Sequence, residues 1–486
     1  MANQLQVSKI RQNTLLMLSY EIFITIVPLI TIPYVSRVLG AYGVGTYSFA
    51  HSSICYFTAL TALGVSMYGK REIASCINRE QRSKTFWNIW AIESLMFVLS
   101  FIAYVIYILN CGINIKPALW IQLLTLTGVW LDITWFFFGI EDFKAALMRN
   151  FLVRITSTTL VFIFVQSPED TYLYVFILAS CDLFSVTYMW IIIRKYVNKM
   201  HFDLHLVKKH LSPMFKMFIP AISVQLFSMT DKFLLGYLVD ISAVGLYENA
   251  YRITKFPTAF ITVLGSVMLP RITKLKVQGN EGLINQYFER SFSLTVFVGL
   301  GCAFGLIAVS PTLIPVYLGP DFIDSINLIR ILSLILIVIA VGNTFRMQFI
   351  LPNKMDNLYA KSFFFAAMMN VILNLLMIPL FSYYGAAFAS LISEMIICVY
   401  LLYRIRSNFN YKVLFGKVMK YIISALIMLI VVLLTADYFT CRFGDYLSLF
   451  FQITIGFIVY ISASLLFELV DKDTCILSEI RRFIKK

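Results

Sequence analysis

The residues with the most chemistry to offer are ionisable groups set in apolar sequence. Arg37, Arg154, Lys232, Arg252, Lys255, Arg330 and Arg346 supply positive charge inside or at the ends of long runs of Leu, Ile, Phe and Val. Glu21, Asp132, Asp182, Asp231, Glu248 and Glu394 supply negative charge in the same kind of setting. An ionisable group at the centre of a bilayer costs roughly 2.5–3.5 kcal/mol on insertion scales, so such groups are kept where they face water, a ligand or one another. The cations are therefore candidate anion-binding residues. Among the acids, Glu21, Asp132, Asp231, Glu248 and Glu394 are candidates for ion pairs or for coupling to a cation. Glu248 and Arg252 stand four apart, the spacing of an intrahelical ion pair. A cationic excess suits an anionic substrate such as a phosphate, which Arg grips bidentately and Lys attracts as a point charge. The competing reading is that groups near the ends of the runs, Arg154, Arg330 and Arg346 above all, snorkel to the headgroups.

Other patterns point to less. Gly64-Val65-Ser66-Met67-Tyr68-Gly69-Lys70 opens like a phosphate-binding loop, but Arg71 stands where such a loop needs Ser or Thr for Mg²⁺, and the segment ends an apolar helix instead of following a strand. No nucleotide chemistry is expected from it. His201, His205 and His210 lie on a basic segment with no Cys or Glu to complete a metal site, and His51 is a candidate proton carrier. The eight cysteines are scattered without a C-x-x-C pair, so neither a disulfide framework nor a zinc site is expected. No cofactor and no metal is implied. The run Trp130, Trp135, Phe136, Phe137 and Phe138 reads as an interfacial aromatic belt, with a sugar-stacking platform as the alternative.

The elements that must position these groups are membrane helices. Of 486 residues 59% are apolar and 14% charged, and the mean hydropathy is +0.80. A soluble chain carries about 25% charged residues, and a span needs about 20 apolar residues. Runs of that length recur near 14–34, 46–68, 86–108, 118–138, 151–166, 172–193, 217–238, 246–269, 291–314, 328–350, 361–379, 384–403, 418–436 and 447–467. The first is too long for a cleaved leader and is read as a permanent span. With both termini cytoplasmic, the stretches left inside collect Lys70, Arg71, Arg194, Lys195, Lys274, Lys276, Arg404, Arg406 and the tail Arg481, Arg482, Lys485 and Lys486. The outer stretches hold Arg37, Lys116 and Arg442, as the positive-inside rule expects. The net charge of +14 is thus membrane-surface charge, and no continuous basic face interleaves with base-stacking aromatics, so no nucleic acid is expected as partner. A catalytic domain needs at least about 50 residues. The longest internal loops, 69–85, 194–216 and 271–290, are too short for one.

The chain also repeats itself at a spacing of 200 residues. Val44-Gly45-Thr46-Tyr47-Ser48-Phe49-Ala50 aligns with Val244-Gly245-Leu246-Tyr247-Glu248-Asn249-Ala250, and the match continues to Arg71 and Arg271 with eight identities. Both copies run inward, so the repeat is parallel, an arrangement used by transporters that alternate access. It divides the chain into an N-lobe at 1–216, a C-lobe at 217–403 and a final helix pair with a cytoplasmic tail at 404–486. The expected fold is an all-α integral membrane protein of about fourteen helices, two pseudo-symmetric six-helix lobes plus two C-terminal helices.

On these residues the chain resembles the polysaccharide transporters of the multidrug/oligosaccharidyl-lipid/polysaccharide exporter superfamily. The resemblance rests on Ile32-Pro33-Tyr34-Val35-Ser36-Arg37-Val38-Leu39-Gly40, Gly69-Lys70-Arg71-Glu72-Ile73-Ala74, Trp135 to Phe143, Asp231-Lys232 and Tyr384 to Ser390. It implies a flippase that moves a polyprenyl-diphosphate-linked oligosaccharide across the bacterial cytoplasmic membrane, with two lobes enclosing a cationic cavity. Partners implied are the lipid-linked anionic oligosaccharide, membrane lipids, and a glycan polymerase and glycosyltransferases of the same pathway. The alternatives are a cation-coupled drug exporter, a peptidoglycan-precursor flippase or, with less support, a membrane polymerase or glycosyltransferase. An enzyme of those kinds is expected to show a large external loop or acidic sugar-nucleotide motifs, and Glu141-Asp142 is an isolated acidic pair.

Overall fold

The computed structural model describes the backbone of residues 2–198 and 204–471, and the side chains of these apart from residues 2–22, 24–25, 143, 145–146, 204–206, 220, 413, 417 and 470–471. His201, the side chains of Glu21 and His205, and the basic tail from Lys472 onward lie outside the described residues. The described chain is all-α. The long helices are α1 (Ala2–Ala62), α3 (Arg79–Asn110), α7 (Phe143–Phe164), α8 (Thr171–Ile193), α9 (Leu204–Leu238), α10 (Ile241–Val277), α11 (Glu281–Tyr317), α12 (Ser325–Phe345), α13 (Asp356–Arg404) and α14 (Tyr411–Asp471). Short helices fill the rest: α2 (Val65–Ala74), α4 (Lys116–Ile121), α5 (Leu123–Leu131) and α6 (Thr134–Gly139). Among the described residues, eleven helical stretches are long and apolar enough to cross a membrane. Three long helices contain one residue of non-helical backbone where two expected spans meet: Gly40 (φ 65°) in α1, Ser382 (φ 54°) in α13 and Gly444 (φ 72°) in α14. Their outer faces are apolar: Leu380, Leu434, Phe450 and Phe457 are all exposed, as lipid-facing residues are.

The chain forms two compact units, one up to Gly245 and one from Leu246. In the first, α9 packs along α1 and α3. Phe233 of α9 stacks on Phe49 with ring centroids 6.0 Å apart, and Thr230 meets the Tyr56 hydroxyl at 3.3 Å. Within this unit the segments ending at Gly45 and Gly245 lie side by side. A methyl on Gly45 would run into the Ile241 carbonyl, and one on Gly245 into the Ala41 carbonyl. Ala41 and Ile241 each lie four residues before the other glycine.

The expected span at 118–138 is broken into α4, α5 and α6, and the one at 151–166 begins earlier, at Phe143. The aromatic run is not an interfacial belt. Trp135, Phe136 and Phe137 are buried, with Trp135 stacked on Phe86 at 5.6 Å. The chain turns at Asp132 and Ile133, which folds α6 against α2. Gly69 then lies against the Trp135 ring and Gly139 against Ile73. The phosphate-loop look-alike thus holds a packing glycine; its Gly64 (φ 74°) supplies the left-handed turn that separates α2 from α1.

In the second unit α11 is the spine, with α12 and α14 packed along it. Phe297 stacks on Tyr460 at 4.7 Å, and the Tyr460 hydroxyl donates to the Phe297 carbonyl at 2.7 Å. Gln452 donates to Thr312 Oγ1 at 3.0 Å. The final helix pair is therefore part of the core of this unit.

Candidate functional site

Each unit holds a cluster of charged side chains. In the second, α10 presents Glu248, Tyr251, Arg252 and Lys255 within two turns, a spacing that puts them along one side of the helix. Arg252 Nε donates to Glu248 Oε1 at 2.6 Å, and Glu248 is 5% exposed. The Lys255 ammonium lies 4.9 Å from the centre of the Tyr251 ring. From the other side comes Arg346, the first residue of a π-helical turn (Arg346–Ile350) that widens the end of α12. Such one-turn widenings are frequent at functional sites. The Arg346 guanidinium is buried over the Phe363 ring at 5.4 Å. A methyl on Gly342 would stand 3.8 Å from Arg346 Nη2 and 3.8 Å from Cys398 Sγ, which places this cation against α13. One turn before Cys398 is Glu394, whose carboxylate feels first the charge of Arg346 and then that of Lys255. Residues far apart in sequence thus converge: three cations, Arg252, Lys255 and Arg346, against two carboxylates, Glu248 and Glu394. Arg330 is not among them. It lies at the start of α12, where its Nη1 donates to Asn327 Oδ1 at 3.0 Å.

In the first unit the centre is Asp132, at the break between α5 and α6. Its Oδ1 accepts from the Thr134 backbone N–H at 2.8 Å, and its Oδ2 pairs with Arg149 Nη1 at 2.8 Å. Arg149 also donates through Nε to Ser185 Oγ at 3.0 Å and through Nη1 to Thr134 Oγ1 at 3.1 Å. It thereby ties α7 to α8 and to the α5–α6 break. Arg149 and Arg154 both act on Asp182 of α8. Arg154 itself is exposed, as is Arg37 on α1. Asp231 and Lys232 are both buried on α9. His51 is stacked on Tyr47 at 5.6 Å and touches Cys55 Sγ at 3.6 Å.

A continuous apolar helical chain with buried cations and no aqueous domain among the described residues is the build of a carrier, and family comparison says which kind. The family model for polysaccharide biosynthesis protein matches residues 10–276. The chain belongs to the polysaccharide biosynthesis protein family. The model for lipid II flippase MurJ matches residues 145–457 as well. A provisionally named O-antigen transporter of Escherichia coli (strain K12) is 24% identical over 390 residues, covering 79% of this chain and 93% of its own. Its counterpart in Shigella dysenteriae, also provisionally named, is 21% identical over 383 residues, covering 77% and 94%. Among solved structures, a lipid II flippase MurJ in an inward closed conformation superposes with a TM-score of 0.77 at 18% identity, covering 94% of this chain and 99% of that one. That likeness is one of fold.

Two functional candidates of this polysaccharide biosynthesis family member escape a reading of the sequence. Arg149 looks like a loop residue when the fifth span is begun at 151; with α7 starting at Phe143 it is helical and aims at Asp132. Glu93, buried in α3, is a lone acid inside the expected third span. Its position in an apolar run was the available signal.

Proposed function

We propose that the chain is a flippase of the cytoplasmic membrane that carries a polyprenyl-diphosphate-linked oligosaccharide by alternating access, with both termini cytoplasmic. The observation that carries this reading is the convergence of Arg252, Lys255 and Arg346 in a multi-pass membrane protein of the polysaccharide biosynthesis family. A diphosphate needs such a set. Guanidinium and ammonium groups in a low-dielectric surround attract phosphate far more strongly than in water. The two carboxylates keep the cations compensated while no anion is bound. Lys232 on α9, with Arg37 and Arg154 on α1 and α7, is proposed as the anion-attracting set of the first unit. Arg330 is proposed in the same role at the start of α12. Asp132, Asp231, Glu248, Glu394 and Glu21 are proposed as pairing or coupling groups. The relatives named as O-antigen transporters support a glycan repeat unit as cargo, and enzymes that build and polymerise that glycan are the proposed partners.

The test is genetic and chemical. Deletion in the host should abolish the surface glycan and leave the lipid-linked oligosaccharide unflipped. The wild-type gene should restore the glycan, and a Lys255→Ala/Arg346→Ala variant present at normal level in the membrane should not. Unchanged surface glycan in the deletion strain sinks the reading. A second cargo, the peptidoglycan precursor lipid II, is favoured by the match to the lipid II flippase model. Rescue of a strain depleted of its own lipid II flippase would decide for that cargo.

A further inference from the structure

The buried acid that the transport reading leaves without a role is Glu93. It sits on α3, 2% exposed, and its Oε2 has no hydrogen-bond partner among the described residues. Nor has the indole N–H of Trp90, three residues earlier and so on the same side of the helix. The two indoles packed against Trp90 both have partners. Trp90 stacks on Trp130 at 5.5 Å and meets Trp190 edge-on at 5.3 Å. The Trp130 N–H donates to Ser94 Oγ at 2.9 Å and the Trp190 N–H to the Leu131 carbonyl at 2.8 Å. One acceptor and one donor are left over, in an aromatic cage, inside a membrane span. The helices packed against α3 carry titratable groups of their own: His51 on α1, Glu72 on α2, Lys116 on α4, and Asp231 and Lys232 on α9. Asp132 caps α5 two residues beyond Trp130, which stacks on Trp90 one turn from Glu93. An ionised carboxylate in that place would meet both the desolvation penalty and a like charge.

We propose that Glu93 is a proton-binding site of the first unit, loaded at rest and emptied through Asp132 during transport. The proton would leave by breaking the Glu93 O–H bond. It would pass to the Asp132 carboxylate directly or through one water, for which the Trp90 N–H and Glu93 Oε2 provide partners. The transfer leaves the sum of charges on Glu93 and Asp132 unchanged, because one carboxylate becomes neutral as the other ionises. Glu93 is buried, whereas Asp132 has 30% of its side-chain surface open. Loss of its negative charge would loosen the Arg149 bridge that ties α7 to α8 and the α5–α6 break, which couples protonation to helix movement. The coupling half of the proposal rests on the flippase reading above; the proton site does not.

Infrared difference spectroscopy on the whole protein in liposomes tests the site without any substrate. The wild type should show the C=O stretch of a buried protonated carboxyl at neutral pH. Glu93→Gln should lose the band, Glu93→Asp should shift it, and Asp132→Asn should alter its pH response. In the host, Glu93→Gln should lose glycan export while remaining in the membrane at normal level, whereas Glu93→Asp should keep it. Gln preserves the shape of the neutral acid and cannot release a proton, so a merely structural Glu93 predicts normal export by that variant. The proposal is overturned if the band persists in Glu93→Gln, or if that variant exports as the wild type does. Failure of the flippase reading would show separately, as a deletion strain with its surface glycan intact.

Discussion

Glu248 and Arg252 show how far single residues can be argued. Their 2.6 Å contact on α10 combines a nearly buried carboxylate with a guanidinium that is 30% exposed. Removing one partner of a buried pair strands the other. Arg252→Ala should therefore lower stability by about 2–3 kcal/mol, less than a fully buried pair would lose because the arginine is partly exposed. A Glu248→Gln/Arg252→Gln variant should recover most of that. Thermal unfolding of the detergent-solubilised protein would measure both, and a double variant no better than Arg252→Ala would show that the pair does not stabilise the unit. This contact is legible in the sequence because four residues make one turn of one helix. The convergence of Arg346 with Glu394 and Lys255 is not, since it depends on how three helices pack, and a list of embedded charges does not rank them. Arg330 lies elsewhere, at the start of α12 with Asn327.

At the scale of elements, the apolar runs mark out the long helices because twenty apolar residues in a row have few other fates. What they leave open is where a helix breaks. Nothing in residues 118–138 announces a turn at Asp132, yet that turn moves Trp135, Phe136 and Phe137 from an expected lipid interface into the core of the first unit. Side-chain burial here is decided by the partner helix α2 and its Gly69, not by composition. The repeat carries more than its few identities suggest. Gly45 and Gly245 leave no room for a side chain, because their backbones lie against the carbonyls of Ile241 and Ala41. Gly45→Ala or Gly245→Ala must push those backbones apart and should each cost about 1–3 kcal/mol, as overpacking does. Gly416, in the exposed first part of α14 with open space around it, is the control. Gly416→Ala should be neutral or stabilising by up to about 1 kcal/mol, since alanine is the better helix former. Equal melting temperatures for Gly45→Ala and Gly416→Ala would contradict the close crossing.

For the whole molecule the decisive quantity is the distribution of charge across the bilayer, and it makes a prediction about orientation. The junction of α13 and α14, from the last residue of α13 to the first turn of α14, carries Arg404, Arg406 and Lys412, and the part of α14 around Gly444 carries Arg442 with Asp437 and Asp445. Lysine and arginine within about 15–20 residues of a span end resist translocation, and acids count for little. The first stretch should therefore face the cytoplasm and the Gly444 turn the outside, whatever the cargo. The protein supplies its own reporter. Cys441 is the exposed cysteine among the described residues; Cys55, Cys76, Cys111, Cys181 and Cys398 are buried and Cys302 is half-buried. In a Cys475→Ser background, a membrane-impermeant maleimide should label Cys441 in intact cells. A cysteine introduced by Ser407→Cys, in the exposed turn after Arg406, should react only after permeabilisation. The reverse pattern would invert every stretch of the chain. Arg481 and Arg482 would then lie outside, and an oligosaccharide assembled in the cytoplasm would meet the carrier from the wrong face. Labelling of both sites in intact cells would instead mean that the α14 hairpin does not cross the membrane, although Leu434, Phe450 and Phe457 are exposed along it as lipid-facing residues are.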